Sequence, residues 1–278
     1  MSETTYRRSR RLTRRGRLLL LLFALLLSAG VMLVLVLRET GAPARTLLVP
    51  EGWRATQVYA AVDNRLELAP GTTRRAASTA NLDLPAEARG NPEGYLFPAT
   101  YPVTDDTTPG GLLAYMVQTA NKRFGQDRIA EGARRAGLTV YQVVTMAGIV
   151  QAEADTPADM GKVARVIRNR LAHGMPLQMD STLNYALNRS TLATTTGDTK
   201  IDSPYNTYER KGLPPTPIGN PGRQALDAAI DPTPGTWLYF VTVAPGDTRF
   251  TDSYAQHRLN VSEFNQNRTS RKEADGAG

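Results

Sequence analysis

Cysteine is absent from all 278 residues, which excludes disulfides, thiolate-bound metal and cysteine nucleophiles. Histidine is almost as scarce. Only His173 and His257 occur, too few for a three-histidine zinc site, and neither belongs to an HExxH pattern. No Walker loop, glycine-rich dinucleotide motif or GxSxG elbow is present, so no metal and no cofactor is implied. Internal repeats are missing too. Acids are nearly missing from the first 38 positions, where Glu3 alone faces Arg7, Arg8, Arg10, Arg11, Arg14, Arg15, Arg17 and Arg38. That segment accounts for the whole net charge of +7 and leaves 25 basic and 25 acidic side chains in the remainder. A nucleic-acid binder needs a basic face on its folded part, and this balance gives none, despite a pI near 9.8.

Directly after the arginine cluster comes a run of 20 residues, Leu18 to Leu37, without charge or proline. At about 1.5 Å per residue such a helix spans a bilayer core of roughly 30 Å. A cleaved signal peptide is the rival reading, with Ser28-Ala29-Gly30 as its cleavage site. The apolar run continues for seven residues past Gly30, beyond ordinary signal-peptide length. The reading is therefore a single-pass anchor at residues 18–37 with residues 1–17 as a basic cytoplasmic segment. The basic flank puts the N-terminus in the cytoplasm and the rest outside the cell membrane.

Beyond the anchor, residues 38–46 read as a linker. Next come a brief strand (Leu47–Val49), a Pro-Glu-Gly turn and an amphipathic helix carrying Val58, Tyr59 and Val62. Residues 64–92 suggest short helices and loops, and "EGYLFPATYPV" (93–103) an ordered loop or short strand. A helix begins in "PGGLLAYMVQTANKRF". Two further helices carry their own boundaries. Thr139 and Gln142 form a capping box that starts one at Val140, ending near Ala154. Thr156, Pro157 and Asp159 start the next, and Gly174 sits where a C-terminal cap belongs. From Met175 to Gly222 the chain reads as long ordered loop, a length that is commonly functional. A helix (Arg223 to Ile230), a strand (237–243), a Pro-Gly-Asp turn, a second strand near Arg249–Thr251 and a short helix complete the order. The polar composition of residues 265–278 is that of a disordered tail. The fold class is α+β: an anchor helix, then a mixed domain with long ordered loops.

Glu153 is the acid that stands out. On a helix it projects beside Met146, Ile149 and Val150, an apolar side where burial would keep a carboxyl protonated. The plainer alternative is a helix-end acid paired with Arg165 or Arg168 of the next helix. Spacing alone leaves both open. Asp180, on the loop after that helix, is the best second acid, although an Asx-turn explains it equally well.

Several segments, in this order, resemble the YceG-like family, the membrane-anchored endolytic murein transglycosylases called MltG. They are "EGYLFPATY", "TMAGIVQAEA", "VARVIRNRLAHGMPLQMDSTLNYAL", "SPYNTYERKGLPPTPIGNPG" and "ALDAAIDPTPGTWLYFVTV". The resemblance covers roughly residues 91–264. It implies that Glu153 is the catalytic acid and that Gln151 stands where a nearby acid is common. It implies a glycan cleft bordered by Gln178, Asp180, Tyr205, Asn206, Thr207 and Tyr208, with Gly212, Leu213, Pro214 and Pro215 in its wall and Asn220 among its binding residues. Loop rigidity explains the tyrosines and prolines as well, and both roles are compatible. Ser181 replaces a usual proline, Thr216 a usual glycine, and Thr248 falls where many members have a histidine. Residues 38–90 leave room for only a linker and one strand–turn–helix unit of a LysM-like region.

The activity so implied is a lytic cut of the MurNAc-β-1,4-GlcNAc bond inside peptidoglycan strands, giving 1,6-anhydro ends and terminating nascent glycan. Its implied partners are glycan strands, the cytoplasmic membrane and peptidoglycan synthases. The alternative is a membrane-anchored peptidoglycan-binding scaffold with weak or lost catalysis.

Overall fold

The computed structural model describes residues 45–190 and 194–276, with side chains as far as residue 270. The arginine-rich segment, the expected anchor Leu18–Leu37 and most of the linker lie outside the described residues. Among those described, no helix is long and apolar enough to cross a membrane.

In chain order the elements are β1 (Arg45–Val49), α1 (Ala55–Arg65), α2 (Thr72–Thr79), β2 (Ala99–Val103), α3 (Pro109–Phe124), α4 (Asp127–Ala136), α5 (Val140–Glu153), α6 (Pro157–Ala172), α7 (Asp180–Ala186), α8 (Arg223–Ile230), β3 (Tyr239–Ala244), β4 (Asp247–Thr251) and α9 (Tyr254–Gly276). Two short 3₁₀ turns, Ala86–Ala88 and Asp198–Lys200, interrupt the loops. The described residues from Thr46 onward form one unit, a mixed α and β body with two small sheets.

α5 is the centre of that body. Its sequence is apolar all round, which suits a helix surrounded by others. Residues from Val143 to Val150 are all buried, with α4, α6, α7 and α8 packed about them. Its start is fixed as the sequence indicates: Thr139 Oγ1 accepts from Gln142 N–H, and Gln142 Oε1 accepts from Thr139 N–H at 2.9 Å. α6 begins on Thr156, whose hydroxyl accepts from Asp159 N–H, with Pro157 in the first turn. It ends before Gly174, whose φ of +61° permits the left-handed turn.

Three elements differ from the sequence expectation. α4 occupies a charged stretch to which the pattern assigns no element. Asp180 opens a short helix instead of lying on a loop. α9 runs unbroken from Tyr254 to Gly276, through the segment whose composition suggests a tail. Asn267 explains part of that continuity, because its amide donates to Val243 O at 3.0 Å and ties the helix to β3.

β1 pairs with β2, joining the strand–turn–helix near residue 50 to the "EGYLFPATYPV" segment. Asn220 tightens the same junction. Its side-chain amide donates to Trp53 O (2.7 Å), its Oδ1 accepts from Leu96 N–H (2.8 Å), and its carbonyl accepts from Gly52 N–H (2.7 Å). β3 and β4 form an antiparallel hairpin with Phe240 opposite Phe250, and α9 packs along it. Side chains of α6 hold the hairpin's approach by its carbonyls. Arg165 donates to Pro232 and Thr233, Asn169 to Gly235 and Trp237, and Arg170 to Leu238.

Candidate active site

Glu153 is the last residue of α5, at the corner before α6. Met146, Ile149 and Val150 are fully buried on its side of the helix, as the spacing requires. The arginines that could have neutralised it are engaged elsewhere: Arg165 at Pro232 and Thr233, Arg168 at Ala136 O, 2.9 Å away. Among the described residues no ion pair includes Glu153. Its Oε1 accepts instead from the backbone N–H of Ser181, at 3.1 Å.

By area Glu153 is only half-buried, yet protein packs round its carboxyl, and burial pushes its pKa up. The contacts with Ser181 oppose that rise by favouring the charged form, and the Asp180 charge adds to it. Ser181 Oγ is buried without a hydrogen-bond partner among the described residues, so the bond is credited to its N–H. The net direction is upward, towards a carboxyl that keeps its proton.

The loop that brings Ser181 there is built by Thr207. Buried Thr207 accepts from Gln178 N–H through its carbonyl (2.9 Å) and from Met179 N–H through its hydroxyl (3.0 Å). Its hydroxyl also lies 2.9 Å from Thr182 Oγ1. Asn206 is buried and works inward as well: its amide donates to Thr199 O and Ile201 O, and its Oδ1 accepts from Tyr208 N–H. Tyr208 donates its hydroxyl to Asp180 Oδ1 at 2.5 Å, and burial and that carboxylate both push its pKa up.

Arg170 holds the loop from the other side. It is 5% exposed, and its guanidinium donates to Pro176 O, Leu177 O, Gln178 Oε1 and Leu238 O. It also lies 5.1 Å from the centre of the Tyr239 ring, on which His257 stacks at 5.0 Å. Burial and Arg170 together hold the His257 pKa down.

A cavity of about 720 Å³ opens between these groups. Glu153, Gln178, Asp180 and Tyr208 line it, as do Arg170, β3 from Tyr239 to Thr242, and one face of α9 from Tyr254 to Arg268. Sequence reasoning missed the α9 wall, although 254, 257, 258, 261, 264, 265 and 268 are at helical spacing.

The other expected residues lie outside that lining. Asn206 and Thr207 shape the loop behind it, and Asn220 binds residues 52, 53 and 96 together. Tyr205 places its hydroxyl 2.8 Å from Thr216 Oγ1 and its ring 4.9 Å from Tyr185. Pro214 is buried, Leu213 packs against the core, Pro215 is exposed, and Gly212 turns the chain with a φ of +90°. Gln151 accepts from Gly222 N–H at 2.9 Å, before α8. Of the other departures, Thr248 pairs its hydroxyl with Thr242 across the hairpin.

A second buried acid was not singled out from the sequence. Glu93, 3% exposed, accepts from Ala55 N–H at 2.9 Å and from the Tyr185 hydroxyl at 3.0 Å. Burial pushes its pKa up to about 7, against these bonds and the charge of Arg54. It joins the start of α1 to the Tyr185–Tyr205 pair, outside the cavity that holds Glu153.

The model of the YceG-like family matches residues 28–263. An endolytic murein transglycosylase of Bacillus subtilis is 38% identical over 166 residues, 59% of this chain and 46% of that protein. One of Streptococcus pneumoniae is 35% identical over 182 residues, 63% of this chain and 33% of that protein. The chain thus spans less than half the length of either relative. A crystal structure described as a YceG-like protein of Listeria monocytogenes is similar with a TM-score of 0.68 and 28% identity, over 80% of this chain and 77% of that one.

Proposed function

The chain belongs to the YceG-like family, and we propose on that footing that it is a membrane-anchored endolytic transglycosylase of peptidoglycan. The observation that carries this reading is one carboxyl, Glu153, enclosed in an apolar corner, without an ion-pair partner among the described residues and open to a cavity of sugar-binding size. The names of the relatives supply the substrate class: murein.

Neutral Glu153 gives its proton to the bridging oxygen as the bond from muramic acid C1 to that oxygen breaks, freeing the N-acetylglucosamine hydroxyl. The muramic acid C6 hydroxyl then closes on C1, and its proton returns to the Glu153 carboxylate. The products are a 1,6-anhydro end and a new glycan end, and no water is consumed. A second carboxylate to activate water is therefore unnecessary, unlike the two-acid arrangement of most glycoside hydrolases. Burial that raises the pKa suits the first step. The Ser181 N–H, which favours the carboxylate, suits the second.

The uncharged run Leu18–Leu37 behind a cluster of arginines supports a membrane anchor with the catalytic body outside the cytoplasmic membrane. There it would cut newly made strands beside the synthases that extend them. Mass spectrometry of the ends released from purified glycan strands tests the reaction. Anhydro ends that disappear with Glu153→Gln are the expected result. Reducing ends would mean hydrolysis, and intact strands that retain the protein would mean a scaffold.

A further inference from the structure

Most described arginines of this protein have an assigned partner. Arg249 bridges Asp247 and Glu263, Arg189 holds Asp198, and Arg165, Arg168 and Arg170 cap backbone carbonyls. Arg258 and Arg268, on the α9 wall of the cavity, are different. Neither has an ion pair or a carbonyl partner among the described residues. Each instead lies against an aromatic ring one turn back on its own helix: Arg258 at 5.9 Å from Tyr254, Arg268 at 5.7 Å from Phe264. Such contacts hold a guanidinium in place while leaving its N–H fork unsatisfied.

Two pre-placed cations at the rim of a cavity call for anions on whatever enters it. In a peptide-bearing strand the sugars themselves carry no charge, because the lactyl carboxyl of muramic acid is tied up as the amide to the stem peptide. The anions of peptidoglycan are the free carboxylates of the stem peptides, which hang from the lactyl ether of the very sugar whose C1 is attacked. We propose that Arg258 and Arg268 bind stem-peptide carboxylates, so that the site prefers strands whose stem peptides carry free carboxylates. Ten residues of helix separate the two cations by about 15 Å of axis, so each meets its own carboxylate. This inference rests on the peptidoglycan reading above. It adds which form of the polymer is preferred.

The test measures binding, using the full chain in detergent. Glu153→Gln keeps the strands intact. In that background Arg258→Ala with Arg268→Ala should weaken binding of strands with free stem carboxylates about tenfold and leave strands whose stem carboxylates have been converted to amides within about twofold. Both arginines are exposed, and an unchanged melting temperature checks the fold. Equal weakening on both strand types overturns the proposal, as does no weakening on either. Loss of binding to phosphatidylglycerol vesicles with strand binding intact also overturns it, because the cations then serve lipid. Whether the unmutated chain cuts strands at all is read separately from their ends, so failure of the activity leaves this result interpretable.

Discussion

Ser181 donates its backbone N–H to Glu153 Oε1 across 3.1 Å, so the short helix α7 delivers one hydrogen bond to the acid at the end of α5. A donor aimed at a carboxylate favours its charged form. Ser181→Pro removes that N–H at a first-turn position where proline fits a helix. The Glu153 pKa then rises further, and the alkaline limb of the kcat/KM profile moves to higher pH. Ser181→Ala keeps the N–H and leaves the limb in place. Equal profiles for the two variants would show that the bond has no hold on the acid.

Glu153→Gln should lower turnover by at least ~100-fold, the usual worth of a general acid, while the protein becomes more stable at pH 8. The sign comes from linkage. A carboxyl whose folded pKa lies above its unfolded value holds its proton more tightly when folded, so stability is lost as pH rises through that interval. The amide has no such loss. Urea unfolding of both proteins at pH 4 and pH 8 measures it, and the gain should shrink towards pH 4.

Glu93 gives a similar effect without the catalysis. Its folded value of about 7 against an ordinary 4.5 makes wild-type stability fall between those pH values. Relative to Glu93→Gln, the wild type should lose about 3 kcal/mol on going from pH 4 to pH 8. Hydrogen-bond differences between acid and amide shift both ends alike, so the change with pH is the quantity to read by chemical unfolding.

Arg170→Met leaves four acceptors on the 176–178 loop and at Leu238 without their shared donor. A stability loss of about 2–4 kcal/mol is expected. Hydrogen exchange should quicken at Tyr239–Ala244, and activity should fall with Glu153 intact. Unchanged exchange there would rule out Arg170 as the tie between loop and hairpin.

Gly94 has a φ of +84°, and a Cβ placed on it would stand 2.5 Å from the Pro217 ring and 3.1 Å from Val144 Cγ1. Gly94→Ala combines left-handed strain with overpacking, for a loss of about 2–4 kcal/mol by urea titration.

The parts legible in the sequence are those whose boundaries are chemical. Thr139 with Gln142, and Thr156 with Pro157, mark helix starts by side chains that need no distant partner. α4 escapes the pattern although Gly137 ends it in a left-handed turn, because its charged residues hide a narrow buried stripe of Ile129, Gly132 and Ala133. At the site, the apolar side beneath Glu153 can be read from spacing. The diversion of Arg165 and Arg168 to carbonyls cannot, since it depends on where residues 232–233 and the end of α4 run. Asn206 and Asn220 look like polar loop residues open to a ligand. The amide of Asn206 is consumed by backbone atoms within seven residues of it, and that of Asn220 by segments that only the fold brings near. The α9 wall is hidden for another reason: residues 254–264 read as a short helix with no role, and 265 and 268 fall in a stretch polar enough to read as a tail.

Asn220 sets a limit on how this protein can be taken apart. Gly52 and Trp53 lie far from it in sequence, yet their backbone groups satisfy its amide and peptide bonds, and Leu96 completes the set. The strand and turn near residue 50 can therefore be exchanged only for a segment that keeps the same backbone path. A chimera joined after that turn would keep the Leu96 N–H on Asn220 but leave its amide and its carbonyl without Trp53 O and Gly52 N–H, unless the new segment follows the same backbone path. β1 and the turn after it thus belong to the same packed unit as the segments from residue 93 onward.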